Sequence, residues 1–206
     1  SGVSLEAFSS NINIHSNNTL ENLIDSLKCL PGVGPKSALR LAYYLLQRDR
    51  KGAHKLASSI EESLNKLGHC KLCNNFSEKE ICSICASPNR ISDTLCVVEM
   101  PTDLLMLEQT HSYKGMYFVL MGRLSPLDGI GPKEIHINKL LERIKKSEIN
   151  EIILATNFTT EGNTTAQYIA ELLKESKINI SRIARGLPMG GEIEYVDSGT
   201  LAQSIV

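Results

Sequence analysis

Cys70-Lys71-Leu72-Cys73 and Cys82-Ser83-Ile84-Cys85 are two C-x-x-C pairs with eight residues between them. Each pair sets two thiolates on one side of a tight turn, and two such turns complete a tetrahedron. That geometry suits zinc and leaves no open position for water, so the metal it predicts is structural. The ion would replace a core that residues 68–92, with little apolar content, are too short to build. Two other chemistries use paired cysteines. A redox dithiol normally opens a helix in a thioredoxin-like context, which this segment lacks. An iron–sulfur cluster takes the same four thiolates. His69 precedes the first ligand and is a spare donor that four cysteines make unnecessary. A chain of 206 residues with 42% hydrophobic content does not need disulfide staples, so the cysteines point to metal and to the cytoplasm. Cys29 and Cys96 lie on apolar patterns and are expected to be buried core thiols.

The rest of the chain divides around this module. Residues 1–18 are rich in Ser and Asn and are expected to form a flexible N-terminal segment. Over residues 19–67 apolar side chains recur at helical spacing, as in Leu20, Leu23, Ile24 and Leu27, then Ala38, Leu39, Ala42, Leu45 and Leu46. From residue 94 the pattern alternates. Strands are expected at Leu95–Val98, Tyr117–Met121, Ile152–Ala155 and Ile180–Ala184, and helices at Pro101–Thr110, Glu134–Lys146 and Thr164–Ser176. Short apolar strands alternating with helices imply a parallel sheet covered by helices. No run of about 18 apolar residues predicts a membrane-spanning helix, and no leader peptide is visible.

Between the first two helical patterns lies Leu30-Pro31-Gly32-Val33-Gly34-Pro35-Lys36-Ser37. Gly32 and Gly34 permit a tight turn and close approach of another molecule, and Pro35 suits the first position of a helix. The amides at that helix start can hold a phosphate, with Lys36 and Arg40 on one face beside it. This is a helix–hairpin–helix pattern, which grips the DNA backbone without reading sequence. The bland alternative is a Gly-Pro break between packed helices. Net charge is −1, but Lys28 to Lys55 holds seven basic residues and one acidic, whereas Thr94 to Val206 holds 11 basic and 14 acidic. That is a localised basic footprint or, without the hairpin, a solvated helix face. Gly34-Pro35-Lys36-Ser37 is not a Walker A loop, because the full spacing and the preceding strand are absent.

Functional groups in open parallel sheets gather at the carboxyl ends of strands. Glu99 ends the first strand, Asp103 follows in a helix start, and Asp128 lies in the loop after the next strand. Together they could hold Mg2+, which takes hard oxygen ligands. Equally, Asp103 caps a helix and Asp128-Gly129 makes a turn.

Taken together, these residues resemble the RecR family of bacterial recombination mediators. The hairpin Leu30–Ala38 and the zinc knuckles stand in the family's order, and Cys96-Val97-Val98-Glu99 with Leu124-Ser125-Pro126-Leu127-Asp128-Gly129-Ile130-Gly131-Pro132 is similar to its Toprim domain. Ala155-Thr156-Asn157 with Glu161-Gly162, and Ala184-Arg185-Gly186-Leu187-Pro188-Met189-Gly190-Gly191, are similar to its later signatures. The resemblance runs from about Leu20 to the C-terminus. It implies an α+β multidomain architecture: helix–hairpin–helix at 19–67, four-cysteine zinc finger at 68–92, α/β Toprim domain with a parallel sheet at 93–180, and a C-terminal segment at 181–206 with a Gly-rich loop, a strand and a helix. It also implies a homo-tetrameric ring on single- or double-stranded DNA, partners RecO and RecF, help in loading RecA onto gapped DNA, and no membrane. DNA contact falls on Lys36, Arg40, Gly32 and Gly34, and partner contact or Mg2+ on Glu99, Asp103 and Asp128.

Two positions depart from catalytic or family patterns. Pro126 stands two before Asp128, where a catalytic Toprim site needs Asp, so a two-metal site would be short of ligands. No catalytic residue is therefore expected. Phe158 stands where many relatives carry Pro. The expected function is a DNA-binding mediator without catalysis. The alternatives are a Mg2+-dependent Toprim nuclease or primase-like enzyme, and a protein-interaction scaffold.

Overall fold

The computed structural model describes residues 18–187 and 189–204. The flexible segment expected over residues 1–18 lies outside them except for Asn18, which opens the first helix. The chain divides into two units, Ser1–Lys66 and Leu67–Val206.

The first unit consists of α1 (Asn18–Leu27), α2 (Pro35–Gln47) and α3 (Arg50–Lys66). The break between α1 and α2 follows from Pro31 and from Gly32, whose φ of +77° is costly for any residue with a Cβ. Gly34 is then extended and Pro35 takes the first helical position, where its missing N–H costs nothing. Ala38 and Ala42 are fully buried, one turn apart on α2. Leu56, Ile60 and Leu64 form a stripe on α3 that stays exposed, and α3 buries no residue. Cys29 corrects the expectation of a core thiol: it is exposed in the turn after α1, where the helical register that placed it on the apolar face has ended.

The second unit starts with the cysteine module. A two-strand hairpin, β1 (Gly68–His69) against β2 (Phe76–Ser77), carries the first knuckle, and the short helix α4 (Ser83–Ala86) carries the second. Then follow β3 (Ile91–Val98), α5 (Pro101–Gln109), β4 (Gly115–Val119), α6 (Ile137–Lys145), β5 (Glu151–Leu154), α7 (Thr160–Leu173), β6 (Asn179–Arg182) and α8 (Ser198–Ser204). Strands β3 to β6 form one parallel sheet in the order β4-β3-β5-β6.

Alternation along β3 explains its unbroken apolar run. Leu95 and Val97 face one core with Phe118, Leu140, Ile152 and Ile169, while Cys96 and Val98 face another with Leu104, Tyr117 and Val119. Both faces are covered, as a parallel sheet requires. Cys96 is buried as expected, and burial pushes its thiol up to about 12. The helix expected from Glu134 begins at Ile137 instead, because His136 sits at φ 57°, a left-handed conformation that cannot lie inside a helix.

No strand forms after Arg182 among the described residues, which corrects the one expected in the C-terminal segment. Ile193–Tyr195 makes a 3-10 turn there, and Ile193 and Tyr195 are exposed. An extended segment becomes a strand only when a neighbouring strand takes up its backbone hydrogen bonds.

Candidate metal centre and nucleic-acid interface

The backbone of the cysteine module aims four sulfurs at one point. Asn74, at φ 62°, turns the chain back so that its N–H reaches the Cys70 carbonyl at 2.9 Å, while Cys70 N–H donates to the Asn75 carbonyl at 2.8 Å. Cys82 N–H points at Cys70 Sγ (3.3 Å) and Cys85 N–H at Cys82 Sγ (3.5 Å). Such donors offset thiolate charge. The sulfurs of Cys70, Cys73, Cys82 and Cys85 all lie within 4.8 Å of one another, three of the residues buried. Hydrogen bonding from Cys85 brings Cys73 down to about 6, whereas burial pushes Cys82 up to about 11 and hydrogen bonding with Cys73 raises Cys85. Four clustered sulfurs cannot all ionise without a cation among them. The donor set and the closed, water-poor geometry fit zinc as a structural ion. All four ligands expected from spacing meet here.

The module is built onto the sheet. Val119 N–H donates to the Cys73 carbonyl at 2.8 Å, and Asn74 Nδ2 donates to the Val119 carbonyl at 2.8 Å. The first knuckle thereby pairs with the outer strand β4, whose free edge would otherwise be open to other chains. Lys139 of α6 holds Asn74 Oδ1 at 3.2 Å.

At the carboxyl end of β3, Glu99 is 2% exposed. The backbone N–H and Nδ2 of Asn157 each donate to one of its oxygens at 2.9 Å, and Arg123 Nη1 stands 3.7 Å away. Gly162 makes this possible: a Cβ there would lie 2.7 Å from Glu99 Oε1. Asp103 Oδ2 accepts from the Met100 N–H at 2.9 Å and so caps α5, and Asp128 Oδ2 accepts from Ser125 Oγ at 2.6 Å in an exposed turn. Among the described residues only the four cysteines form a group of three or more potential ligands, so the three carboxylates do not converge. Asn157 stands out in the sequence only as part of a signature. Its role as the partner of Glu99 spans 58 positions and leaves no local trace.

Arg182 Nη1 donates to the carbonyls of Leu154 (2.9 Å) and Thr156 (2.8 Å), closing the end of the sheet. Arg182 and Arg185 both lie 4.6 Å from the Phe158 ring centre, two cation–π contacts that give the departure at Phe158 a structural role.

In the first unit, Lys36 and Arg40 are exposed one turn apart on α2. No side chain caps the start of α2 among the described residues. A Cβ built on Gly32 or Gly34 would meet nothing within 4 Å, so neither glycine serves internal packing and the hairpin surface is open. Arg40 also lines a hollow of about 540 Å³ with Ser37, Leu41 and Tyr44. Lys28, by contrast, is engaged by Asp25 at 2.6 Å.

Fold and site together define a helix–hairpin–helix unit joined in sequence to a four-cysteine zinc module and a Toprim-type sheet. Family profiles agree piece by piece: RecR helix-hairpin-helix over residues 20–64, the RecR zinc finger domain with its four cysteines over 67–87, Toprim domain over 93–184, and RecR C-terminal over 186–206. The chain is 58% identical over 186 residues to a protein of Chromobacterium violaceum named Recombination protein RecR, covering 90% of this chain and 94% of that one. The chain belongs to the RecR family. No helix among the described residues is long and apolar enough to cross a membrane.

Proposed function

We propose that this chain is a DNA-binding mediator of recombinational repair that grips the sugar-phosphate backbone through the α1–α2 hairpin and catalyses no reaction. The observation that carries the reading is the open hairpin: Gly32 and Gly34 face free space, the start of α2 is uncapped, and Lys36 and Arg40 flank it. Helix-start amides and two cations recognise phosphate and not bases, so binding is independent of sequence and extends to single and double strands.

Family membership supports the wider role. It comprises partnership with RecO and RecF, help in loading RecA onto gapped DNA, and work in the bacterial cytoplasm at the nucleoid. A homo-tetramer is supported by the exposed stripe Leu56, Ile60 and Leu64 in a unit that buries only Ala38 and Ala42 completely among its described residues. So small a core gains stability by association.

The absence of catalysis is supported by the acidic residues. Glu99 has both oxygens engaged by Asn157, Asp103 caps α5, and Pro126 occupies the place of a second Asp. Asp128 and Asp103 serve better as partner contacts than as Mg2+ ligands.

Charge reversal of Lys36 and Arg40 together tests the hairpin. The variant should bind all DNA sequences more weakly, with a salt dependence flattened by about 0.9 for each duplex phosphate that is no longer neutralised. Unchanged affinity and slope would remove the hairpin from the mechanism.

A further inference from the structure

The second unit has a cationic groove that the hairpin does not account for. It lies between the zinc hairpin and α6, holds about 420 Å³, and has Leu72 and Phe118 among its lining residues. Three cations at or just past α6 also line it, Lys139, Arg143 and Lys146, against one acid, Glu142. Lys71 is there too, paired with Glu80, and Lys146 makes a longer, exposed pair with Glu142 at 3.5 Å that an entering phosphate would replace. Arg143 Nε is buried and has no acceptor among the described residues. Arg143 forms no ion pair among the described residues, so its charge in the groove lining is available to an anion entering the groove.

The ring of His69 shares the groove with the cations, and Phe76 stands beyond it, outside the groove lining. The His69 ring centre is 5.2 Å from that of Phe76 and 6.4 Å from that of His136. Phe76 is 53% exposed, although it stands in a hairpin rigidified by the cysteine cluster. A ring face beside a row of cations is the pattern that takes unpaired bases and their phosphates: bases stack on the rings and phosphates meet the cations. A duplex hides its base faces and gains nothing from Phe76. An acidic peptide would use the cations but has no need of the ring row.

We propose that the groove between the zinc hairpin and α6 is a single-strand nucleic-acid subsite, in which a base stacks on Phe76 and His69 and the adjoining phosphates are held by Arg143 and Lys146. The zinc module then does more than replace a core, since it presents the stacking surface. The proposal rests on reading the chain as a DNA-binding protein.

The test uses full-length zinc-loaded protein and fluorescein-labelled oligothymidylate, followed by anisotropy across a salt series, with a duplex of equal length alongside. Phe76→Ala is expected to weaken the single strand about tenfold and to leave the duplex unchanged, and Phe76→Tyr to restore binding. Arg143→Gln with Lys146→Gln is expected to lower the salt slope on the single strand by about 1.4, two phosphates at about 0.7 each. Zinc content and melting curves identify any variant that has lost its fold, and Phe76 and Lys146 are exposed enough to be read without Arg143. Full single-strand affinity and slope in Phe76→Ala and Lys146→Gln would overturn the proposal, also if the same variants lost an oligo-aspartate peptide instead. Charge reversal at Lys36 and Arg40 separates the two readings. If only that variant loses DNA, the groove proposal fails and the hairpin stands. If only the groove variants lose it, the hairpin reading fails and the groove stands. Wild-type protein that binds no DNA overturns both.

Discussion

Asn74 reaches from the first cysteine knuckle to the outer edge of the sheet, donating from Nδ2 to the carbonyl of Val119 at 2.8 Å. Val119 N–H answers by donating to the Cys73 carbonyl. The zinc module is thus an extension of β4, and metal and sheet stability are linked. Chelation of zinc is expected to release amide protection over residues 67–87 and also over Gly115–Val119, as hydrogen exchange would report. Loss confined to the cysteine segment would mean that the edge of β4 is held by something else.

Asn74→Ala isolates the same link without touching a sulfur. It leaves the buried Val119 carbonyl without its side-chain donor and frees Lys139. A cost of about 1–3 kcal/mol is expected, because a stranded buried acceptor loses its full desolvation energy. Urea unfolding of zinc-loaded protein measures it, and a midpoint equal to wild type would show the bond to be idle.

Glu99 and Gly162 form a second coupled pair. Glu99→Ala would strand two donors of Asn157, with an expected loss of about 1–3 kcal/mol, while Glu99→Gln keeps one acceptor and should lose less. Gly162→Ala places a Cβ 2.7 Å from Glu99 Oε1 and against the Asn157 carbonyl. Overpacking of this kind costs about 1–3 kcal/mol. Thermal melts of the three variants check the order, and a Gly162→Ala melt equal to wild type would show that the loop yields freely.

Acid stability has an assignable contributor. Burial alone would raise the Glu108 carboxyl, but its ion pair with Arg90, with the Tyr117 hydroxyl nearby, outweighs burial and holds the group below its usual value. Arg90 is also tied to the Gly115 carbonyl at 3.1 Å, so the pair braces the start of β4. A carboxyl lowered on folding stabilises the fold above its unfolded value of about 4.3, and the contribution is lost as pH falls through the folded value. Glu108→Gln is therefore expected to lower stability at neutral pH and to flatten the acid limb of the stability curve. Equal acid limbs for wild type and variant would remove this pair from the pH dependence.

Local chemistry is the part of this protein most legible in its sequence. Two C-x-x-C pairs and a Pro-Gly-x-Gly-Pro turn carry their geometry in a few adjacent residues, and zinc ligands and hairpin stand where expected. Strands buried on both faces are legible as apolar runs, because a parallel sheet needs no alternation. What escapes depends on distant partners. The hold of Asn157 on Glu99, of Asn74 on Val119 and of Arg182 on two carbonyls spans 58, 45 and up to 28 positions. Cys29 differs from expectation because the periodicity that puts it on an apolar face runs past the real end of α1. His136 delays α6 through a backbone conformation that no side-chain pattern announces.

The central claim is that the chain holds DNA and leaves it intact, and one incubation tests it. Purified protein is mixed with end-labelled gapped DNA and Mg2+, and the same sample is run on native and denaturing gels. A retarded native band with full-length strands is expected. Shortened strands that become whole again in Glu99→Gln, or no retardation at moderate salt, would contradict it.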